Sequence, residues 1–353
     1  MKKALCLFIL FFHFLSCGNQ TSETVLDILY VENAIEHKPI FLDEFAQSVT
    51  YVPLETNKDI LIRYISKIDI ANNLLFVQHD ELLSVFDMEG NFLYRIGSKG
   101  QGPNEYVTLG GFFIRDNSVY IVDTRGKHLY KYTLTGEFQE GIQLESVYHE
   151  LFPLAYEGYL GFFDRRRIDQ EIMFEFLDTK GNVEQQIMYL ENYGKDQKIM
   201  MVFIPEGYVY NYDNSSYYKN IFNDTLYTIQ PDHTSHPRLV IDLGRYPMRI
   251  EERYIITDMR DDRFQTKMRY PTVIGETDHY FFFTISMNRE TKNYYWDKLS
   301  KELYHVKLVL PTSEDTDNFF IFKYISNDNT RLISYTNSDE TDDNPVVVIA
   351  AIK

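Results

Sequence analysis

Charged residues that fall between predicted strands are the first candidates for chemistry. Three arginines in a row, residues 165–167, are unusual in a chain of 353 residues with a formal net charge of −17. A guanidinium group pairs with a planar carboxylate or phosphate through two hydrogen bonds, so this run indicates binding of an anionic or peptide-like group. The residues that we predict to form a binding rim are Arg125, Arg165, Arg166, Arg167, Glu105 and Tyr106.

Other clusters suggest catalysis or a metal, and the local pattern argues against each. The glycine-rich run 97–102 lacks the order of a phosphate loop, G-x-x-x-x-G-K-[ST]. His233 and His236 lie in a loop between two prolines, whereas a zinc motif places its histidines on a helix. The acidic run 339–343 lacks the glycine and final glutamate of an EF-hand loop. We therefore predict no catalytic residue, metal ligand or cofactor, with Ca²⁺ in a central channel as the alternative.

Three turn glycines, Gly90, Gly136 and Gly181, reveal the elements that must carry these residues. They are 46 and 45 residues apart, and each closes a hairpin of two short strands. A repeat of that length built from short strands is typical of a propeller blade. Residues 62–353 number 292, slightly more than six such repeats, so we predict an all-β, six-bladed β-propeller.

The excess length falls in residues 245–269, the one stretch with helical character. Its apolar residues that share one face at helical spacing are Ile250, Tyr254, Ile255 and Met259. This pattern predicts one helix inserted between blades four and five.

The last predicted blade has only three strands. Residues 49–55 form an early strand without a hairpin partner, and we predict that this strand completes the last blade and closes the ring. The propeller then occupies residues 40–353, and the chain is expected to be a monomer.

In such a ring, the turns that join the second and third strands of every blade share one face. The turns assigned to that face are residues 79–81, 123–127, 164–167, 213–215, 288–290 and 339–343, with the crossover 97–106 beside them. The arginine run and the acidic run then lie across the ring from each other, which suits a zwitterionic or peptide-like ligand.

The N-terminus has the features of a secretory signal. Two lysines precede an apolar run, residues 4–15, that is too short to span a bilayer as a mature helix. The run ends at Ser16-Cys17, which resembles the bacterial lipobox, so we predict a signal peptide over residues 1–16, lipidation of Cys17 and a tether over residues 17–39. Cys17 would be the sole mature cysteine, so no internal disulfide is expected. The acidic charge argues against nucleic acid and against anionic lipid headgroups, which leaves the acyl chains as the membrane contact.

The crossover also resembles a known family. Residues 97–106, GSKGQGPNEY, resemble the G-x-G-P-x-E-Y signature of six-bladed propeller lipoproteins of Gram-negative bacteria, which are relatives of NHL-repeat propellers. Residues 119–123 and 128–132, followed by Gly136, are similar to the NHL repeat core, and residues 222–227 with 241–244 look like the fourth blade of the same family. The resemblance implies a propeller anchored by lipid to the outer or inner membrane of a Gram-negative cell envelope.

These observations predict a non-enzymatic binding module for a small polar ligand, a peptide or a protein partner. The alternative is a metal-dependent hydrolase similar to lactonase-type propellers, in which Asp, Glu or Asn side chains from several blades converge on the channel. A glycan-binding accessory is disfavoured because the chain has a single tryptophan, Trp296.

Overall fold

A computed structural model of the protein describes residues 26–163, 172–188, 206–245, 247, 249–255, 270–287, 290–310, 319–336 and 343–352. Short strands dominate, as expected for a chain with 28 tyrosines and 26 phenylalanines, since aromatic side chains favour strands. No helix in these ranges is long and apolar enough to cross a membrane.

The N-terminal segment consists of very short elements. In chain order they are β1 (Asp27–Tyr30), a 3-10 turn (Val31–Asn33), β2 (Ile35–Glu36), β3 (Ile40–Phe41), α1 (Leu42–Phe45) and β4 (Ser48–Pro53).

Three sheets of four antiparallel strands follow, each running in chain order from its first strand to its last. The first contains β5 (Ile65–Ala71), β6 (Leu74–His79), β7 (Leu82–Asp87) and β8 (Phe92–Arg95). The second contains β9 (Leu109–Arg115), β10 (Ser118–Asp123), β11 (His128–Thr133) and β12 (Phe138–Gln143). The third contains β13 (Tyr148–Pro153), β14 (Tyr159–Phe163), β15 (Ile172–Leu177) and β16 (Val183–Met188).

The remaining sheets combine late strands with the N-terminal ones. The fourth contains β17 (Gly207–Tyr212), β18 (Ser215–Asn220), β19 (Thr225–Ile229), β20 (Ser235–Asp242) and β1, and α2 (Glu252–Ile255) follows it. The fifth contains β21 (Tyr270–Glu276), β22 (Tyr280–Met287), β23 (Glu290–Asp297), β24 (Leu303–Val306) and β2. A small sheet joins β25 (Leu308–Val309), β26 (Phe319–Phe320) and β3. The last sheet contains β27 (Tyr324–Ile325), β28 (Arg331–Thr336), β29 (Val346–Ala351) and β4.

Apolar side chains fill the space between neighbouring sheets. Ile68 and Leu75 of the first sheet, for example, pack in one cluster with Ile333 and Ile349 of the last. The first strands β5, β9, β13, β17, β21 and β27 surround a central channel. The all-β propeller architecture is therefore confirmed.

The predicted blade number and the inserted helix are both wrong. The described strands form seven sheets, counted as seven blades, because β3, β25 and β26 pair as a small sheet of their own. The hairpin period could not reveal this sheet, since its strands have only two residues each. In place of the helix, the described part of residues 245–269 contains one turn, Glu252–Ile255. The residues from 254 to 257, Tyr-Ile-Ile-Thr, are weak helix formers.

The N-terminal segment runs along the outer edges of consecutive sheets. Its first three strands pair in parallel with β20, β24 and β25, and β4 pairs antiparallel with β29. Residues 27–36, predicted to belong to a tether, instead form sheet edges because Leu29 and Val31 are buried in the core. The strand predicted at residues 49–55 overlaps β4, which is the outer strand of the last sheet.

Leu29 and its neighbour Ile28 test whether this segment is an integral part of the core. Leu29 is 3% exposed and Ile28 is 45% exposed, on opposite faces of β1. We expect Leu29→Ala to lower the free energy of unfolding by about 2–5 kcal/mol, because it leaves a cavity. The matched variant Ile28→Ala should change it by no more than about 0.5 kcal/mol. Chemical denaturation measures both, and equal effects would show that β1 does not contribute to the core.

Candidate functional site

The central channel has a volume of 380 Å³ and is lined by the first strands of the propeller. Most of its wall is apolar or aromatic, including Phe113, Tyr208 and Tyr210. Two charged residues of β5, Lys67 and Asp69, interrupt this wall. They are two residues apart, so both side chains lie on the same face of the strand.

Lys67 is held against the channel wall by neighbouring backbone. Its Nζ donates a hydrogen bond of 2.9 Å to the carbonyl oxygen of Phe112 and lies 5.3 Å from the centre of that ring. Burial lowers the pKa of Lys67, while the nearby carboxylates of Asp69 and Glu150 raise it. The net direction is downward, so burial outweighs the attraction of both carboxylates.

Asp69 faces Lys67 from the same strand and is 8% exposed. Its Oδ1 accepts hydrogen bonds from the backbone N–H groups of Ile70, at 2.8 Å, and Asn327, at 3.1 Å. Burial raises the pKa of Asp69 to about 6, against the opposing effects of Lys67 and of these two N–H groups.

Glu150 contributes a second carboxyl group from β13, on another side of the channel. The side chain is partly accessible, but its Oε2 is buried and has no hydrogen-bond partner among the described residues. Burial raises the pKa of Glu150 to about 7, and Lys67 opposes this rise. A buried carboxylate oxygen without a donor destabilises a fold, and such groups concentrate at functional sites.

Tyr210 is fixed by an ion-pair network between the fourth and fifth sheets. Its hydroxyl donates a 3.0 Å hydrogen bond to Oε1 of Glu276, which is fully buried. Arg238 and Lys298 approach the other carboxylate oxygen at 2.7 and 2.5 Å. The carboxylate is thus neutralised by two cations, and the network holds the tyrosine ring at the channel wall.

A second cavity of 590 Å³ lies next to the channel and is open to the surface. The two cavities share Ile114, Pro153, Asn211, Asn327 and Asn329, so they adjoin each other. The turns between the first and second strands of several sheets surround this mouth. A ligand reaching the channel through the mouth therefore enters on the face formed by these turns.

The turn between β27 and β28 extends over the junction of mouth and channel. Asn327 donates from Nδ2 to the carbonyl oxygen of Ile114 in the second sheet, at 3.2 Å. Asn329 donates from Nδ2 to the carbonyl oxygen of Asn211 in the fourth sheet, at 3.0 Å. This turn thus ties the last sheet to two others and narrows the entrance.

The predicted rim residues that the structure describes lie on the opposite face. Glu105 accepts a 2.8 Å hydrogen bond from the backbone N–H of Gly102, within the crossover. Tyr106 is 1% exposed, and its hydroxyl donates to the carbonyl oxygen of Glu81, at 3.3 Å. Arg125 is exposed in the turn between β10 and β11. The structure therefore places Glu105 and Tyr106 in the packing of the crossover.

Part of the predicted site lies outside the described residues, and one of its turns lies on the other face. Arg165, Arg166 and Arg167 lie outside the described residues, as do Cys17 and most of the acidic run 339–343. The predicted rim turn 213–215 is corrected, because Asp213 and Asn214 join β17 to β18, a first and a second strand. Both residues line the mouth on the other face.

The comparisons with known proteins give a family without an assigned activity. The family described as "Domain of unknown function (DUF4934)" matches residues 26–351. The chain belongs to the DUF4934 family. No protein of curated function gave a match.

Solved structures similar to this DUF4934 chain are propellers from bacteria. A Bacteroides fragilis protein described as exported has 17% identity and a TM-score of 0.70, covering 92% of this chain and 99% of its own. A member of the DUF4221 family from Bacteroides vulgatus has 12% identity and a TM-score of 0.54, covering 86% and 96%. Virginiamycin B lyase from Staphylococcus aureus has 10% identity and a TM-score of 0.41, covering 76% of each chain. At these identities the likeness to the first two establishes the fold alone.

One sequence signal indicates the channel charges, although the predicted site does not include them. Lys67 and Asp69 alternate with isoleucines in a strand that opens a repeat, which is the innermost strand of a blade. Both residues line the central channel in the structure. Within the described ranges, no three His, Cys, Asp or Glu side chains are close enough to hold a metal ion.

Glu150 gives a prediction for the pH dependence of stability. Folding raises its pKa from 4.5 to about 7, so its stabilising effect is present at low pH and is lost as pH rises between these values. We expect Glu150→Gln to leave the free energy of unfolding nearly unchanged at pH 4 and to raise it by about 2 kcal/mol at pH 8. Denaturant titrations at several pH values measure this difference.

The control is Glu157→Gln, which removes an exposed carboxyl group at the mouth. This variant should show the same pH dependence of the free energy of unfolding as the wild type. If Glu150→Gln did the same, the carboxyl group of Glu150 would not be buried in the channel as described.

Proposed function

We propose that this protein is a lipid-anchored propeller of the cell envelope that binds a small polar ligand in its central channel and catalyses no reaction. The observation that carries the proposal is the set of Lys67, Asp69 and Glu150 in a channel that adjoins an open mouth. Ordinary blade packing does not need buried charges at the axis. Their cost to stability is explained if a ligand completes their interactions.

The dimensions of the site fit a small molecule. The channel volume of 380 Å³ falls in the range typical of small-molecule sites, and its wall combines aromatic rings with a few polar groups. A folded protein partner would be too large to reach Glu150. The proposed binding site is therefore the channel rather than the predicted rim.

The alternative, a metal-dependent hydrolase, has weaker support. It requires several oxygen ligands that converge on one cation. Asp69 and Glu150 instead lie near the ammonium group of Lys67, whose positive charge is stabilised by both carboxyl groups. This arrangement disfavours a divalent ion at the same position because the two positive charges repel each other.

The proposed location in the envelope rests on the N-terminal sequence. A positively charged start, a short apolar run and Ser16-Cys17 are the features of an exported lipoprotein. The similar protein from Bacteroides fragilis is described as exported. The monomer state and the choice of outer or inner membrane remain part of the proposal.

A blocked mouth tests binding in the channel. Ala155 lines the mouth, and Ala155→Trp should place an indole ring across the entrance. We expect a thermal-shift screen of small polar compounds, followed by calorimetry, to find compounds that stabilise the wild type but not this variant. Arg125→Trp, on the opposite face, is the matched control and should respond like the wild type. Compounds that bind the blocked variant equally well would place the site elsewhere.

The anchor is tested by Cys17→Ser. The acyl chains would be lost, so the protein should leave the membrane fraction for the soluble fraction or remain unprocessed. Cys6→Ser, which changes a cysteine within the predicted signal peptide, is the control and should fractionate normally. Membrane fractionation of Cys17→Ser like that of the wild type would contradict lipidation at this residue.

A further inference from the structure

One carboxylate oxygen of the channel lining indicates the kind of ligand that the channel can hold. Two carboxyl groups, Asp69 and Glu150, and two ammonium groups, Lys67 and Lys323, line the channel, and Nζ of Lys323 lies over the ring of Tyr335, 4.4 Å from its centre. Lys67 already donates to the carbonyl oxygen of Phe112, and Asp69 already accepts from two backbone N–H groups. Glu150 is the member of the set whose Oε2 is buried without a partner in the described chain. The unmet requirement of the channel is therefore a hydrogen-bond donor at this oxygen.

The surroundings of Glu150 favour a donor that carries positive charge. Phe113 and Tyr210 are buried aromatic residues of the channel wall, and Tyr208 lies beside them. Aromatic faces attract cations, and a charged donor makes a stronger hydrogen bond to a carboxylate than a neutral one does. An anionic ligand would instead meet two carboxyl groups, whereas the two lysines of the lining are engaged by the carbonyl oxygen of Phe112 and by the ring of Tyr335.

The charges that line the mouth also favour a positively charged ligand. Asp116, Glu157 and Asp213 line it together with one cation, Arg115. Arg115 donates to the carbonyl oxygen of Gly158 and to the hydroxyl of Tyr159, so its guanidinium group is engaged in local packing. The acidic excess would attract a cation toward the channel and repel an anion.

We propose that the channel binds an organic cation with a primary ammonium group, and that the carboxylate of Glu150 is its counter-ion. This inference rests on the proposed function, since it names the ligand class of the same site. The ammonium N–H groups would donate to Oε2 of Glu150, and the organic part would contact the aromatic wall. The channel volume of 380 Å³ restricts the ligand to a small amine.

Binding of such a ligand should depend on pH. The titratable groups that line the channel around Glu150 are Lys67 and Asp69 of β5, Tyr208 and Tyr210 of β17, and Lys323 and Tyr324 at the last sheet. Because burial raises the pKa of Glu150 to about 7, an ammonium ligand must displace a proton from this carboxyl group at lower pH. Affinity for an amine should therefore rise from pH 6 to pH 8, by up to about tenfold per pH unit below the pKa.

The experiment compares three probes that differ only in their head group. n-Hexylamine, 1-hexanol and hexanoate are titrated into the full-length protein at pH 8, by ligand-observed NMR and calorimetry. We expect hexylamine to bind at least about tenfold more tightly than either of the others, through its charged hydrogen bond. Its affinity should fall several-fold at pH 6, whereas that of hexanol should not change.

Glu150→Gln keeps the shape of the side chain and removes its charge. This variant should lose at least about tenfold in hexylamine affinity and the pH dependence of binding, with little effect on hexanol. Its expected stability at pH 8 is higher than that of the wild type, so unfolding cannot explain the loss. Arg125→Gln, on the opposite face, should bind hexylamine like the wild type.

Three results would overturn the inference. They are equal hexylamine affinity of the wild type and Glu150→Gln, tighter binding of hexanoate or hexanol than of hexylamine, and absence of hexylamine binding. If hexanoate or hexanol binds and Ala155→Trp prevents this, the amine inference fails and binding in the channel stands. If every compound bound as well to the blocked variant, the proposed function itself would fail.

Discussion

The antiparallel pairing of β4 with β29 joins the two ends of the chain, and the rest of the structure depends on it. Neighbouring sheets of a propeller contact each other through side chains, so backbone pairing between the ends is what prevents the ring from opening. Asn344, which is 3% exposed, reinforces this joint. Its Oδ1 accepts from the N–H of Ile62 at 2.7 Å, and its Nδ2 donates to the carbonyl oxygens of Glu55 and Ile60, at 2.7 and 3.0 Å.

Ring closure also explains how charged groups can persist at the axis. The first strands are held in place by apolar packing on their outer side, so the channel lining does not have to contribute stability of its own. Burial raises the pKa of Asp69 and of Glu150, and the packing of the sheets must offset the resulting loss of stability. A rigid ring thus permits an internal surface whose composition does not have to serve folding, which is a requirement of the proposed binding in the channel.

Sequence patterns were sufficient to predict the fold class, but they could not predict on which face of the propeller each turn lies. Regular spacing of Gly90, Gly136 and Gly181 reflects hairpins that close in the same way, and each of these glycines has a positive φ. Turns on the two faces, however, use the same chemistry. Asp80 and Glu81 on one face have φ values of 47° and 64°, and Asp213 and Asn214 on the other face have φ values of 47° and 54°. Composition alone could not assign such turns to a face. The sequence also did not predict strand β18, because its serines, Lys219 and Asn220 conceal the alternation of apolar and polar residues that is typical of a strand.

The position of the channel charges was equally hard to predict. Alternation in the segment that contains Lys67 and Asp69 indicates a strand, but not which neighbours its sides will meet. Glu150 lies more than 80 residues further along the chain, so only the closed ring brings it near them. The small sheet was missed for a related reason, since pairing between β3 and β25 spans 268 residues from Ile40 to Leu308.

The path of the N-terminal segment has a consequence for the order of folding. Its strands pair with β20, β24, β25 and β29, so these residues find their partners only in the last third of the chain. Asp27, for example, lies opposite Leu239. Contacts of such sequence separation slow folding because a long loop must close before they form. Until β29 has emerged, β4 therefore has no partner strand, and the nascent chain exposes an unpaired edge that favours aggregation.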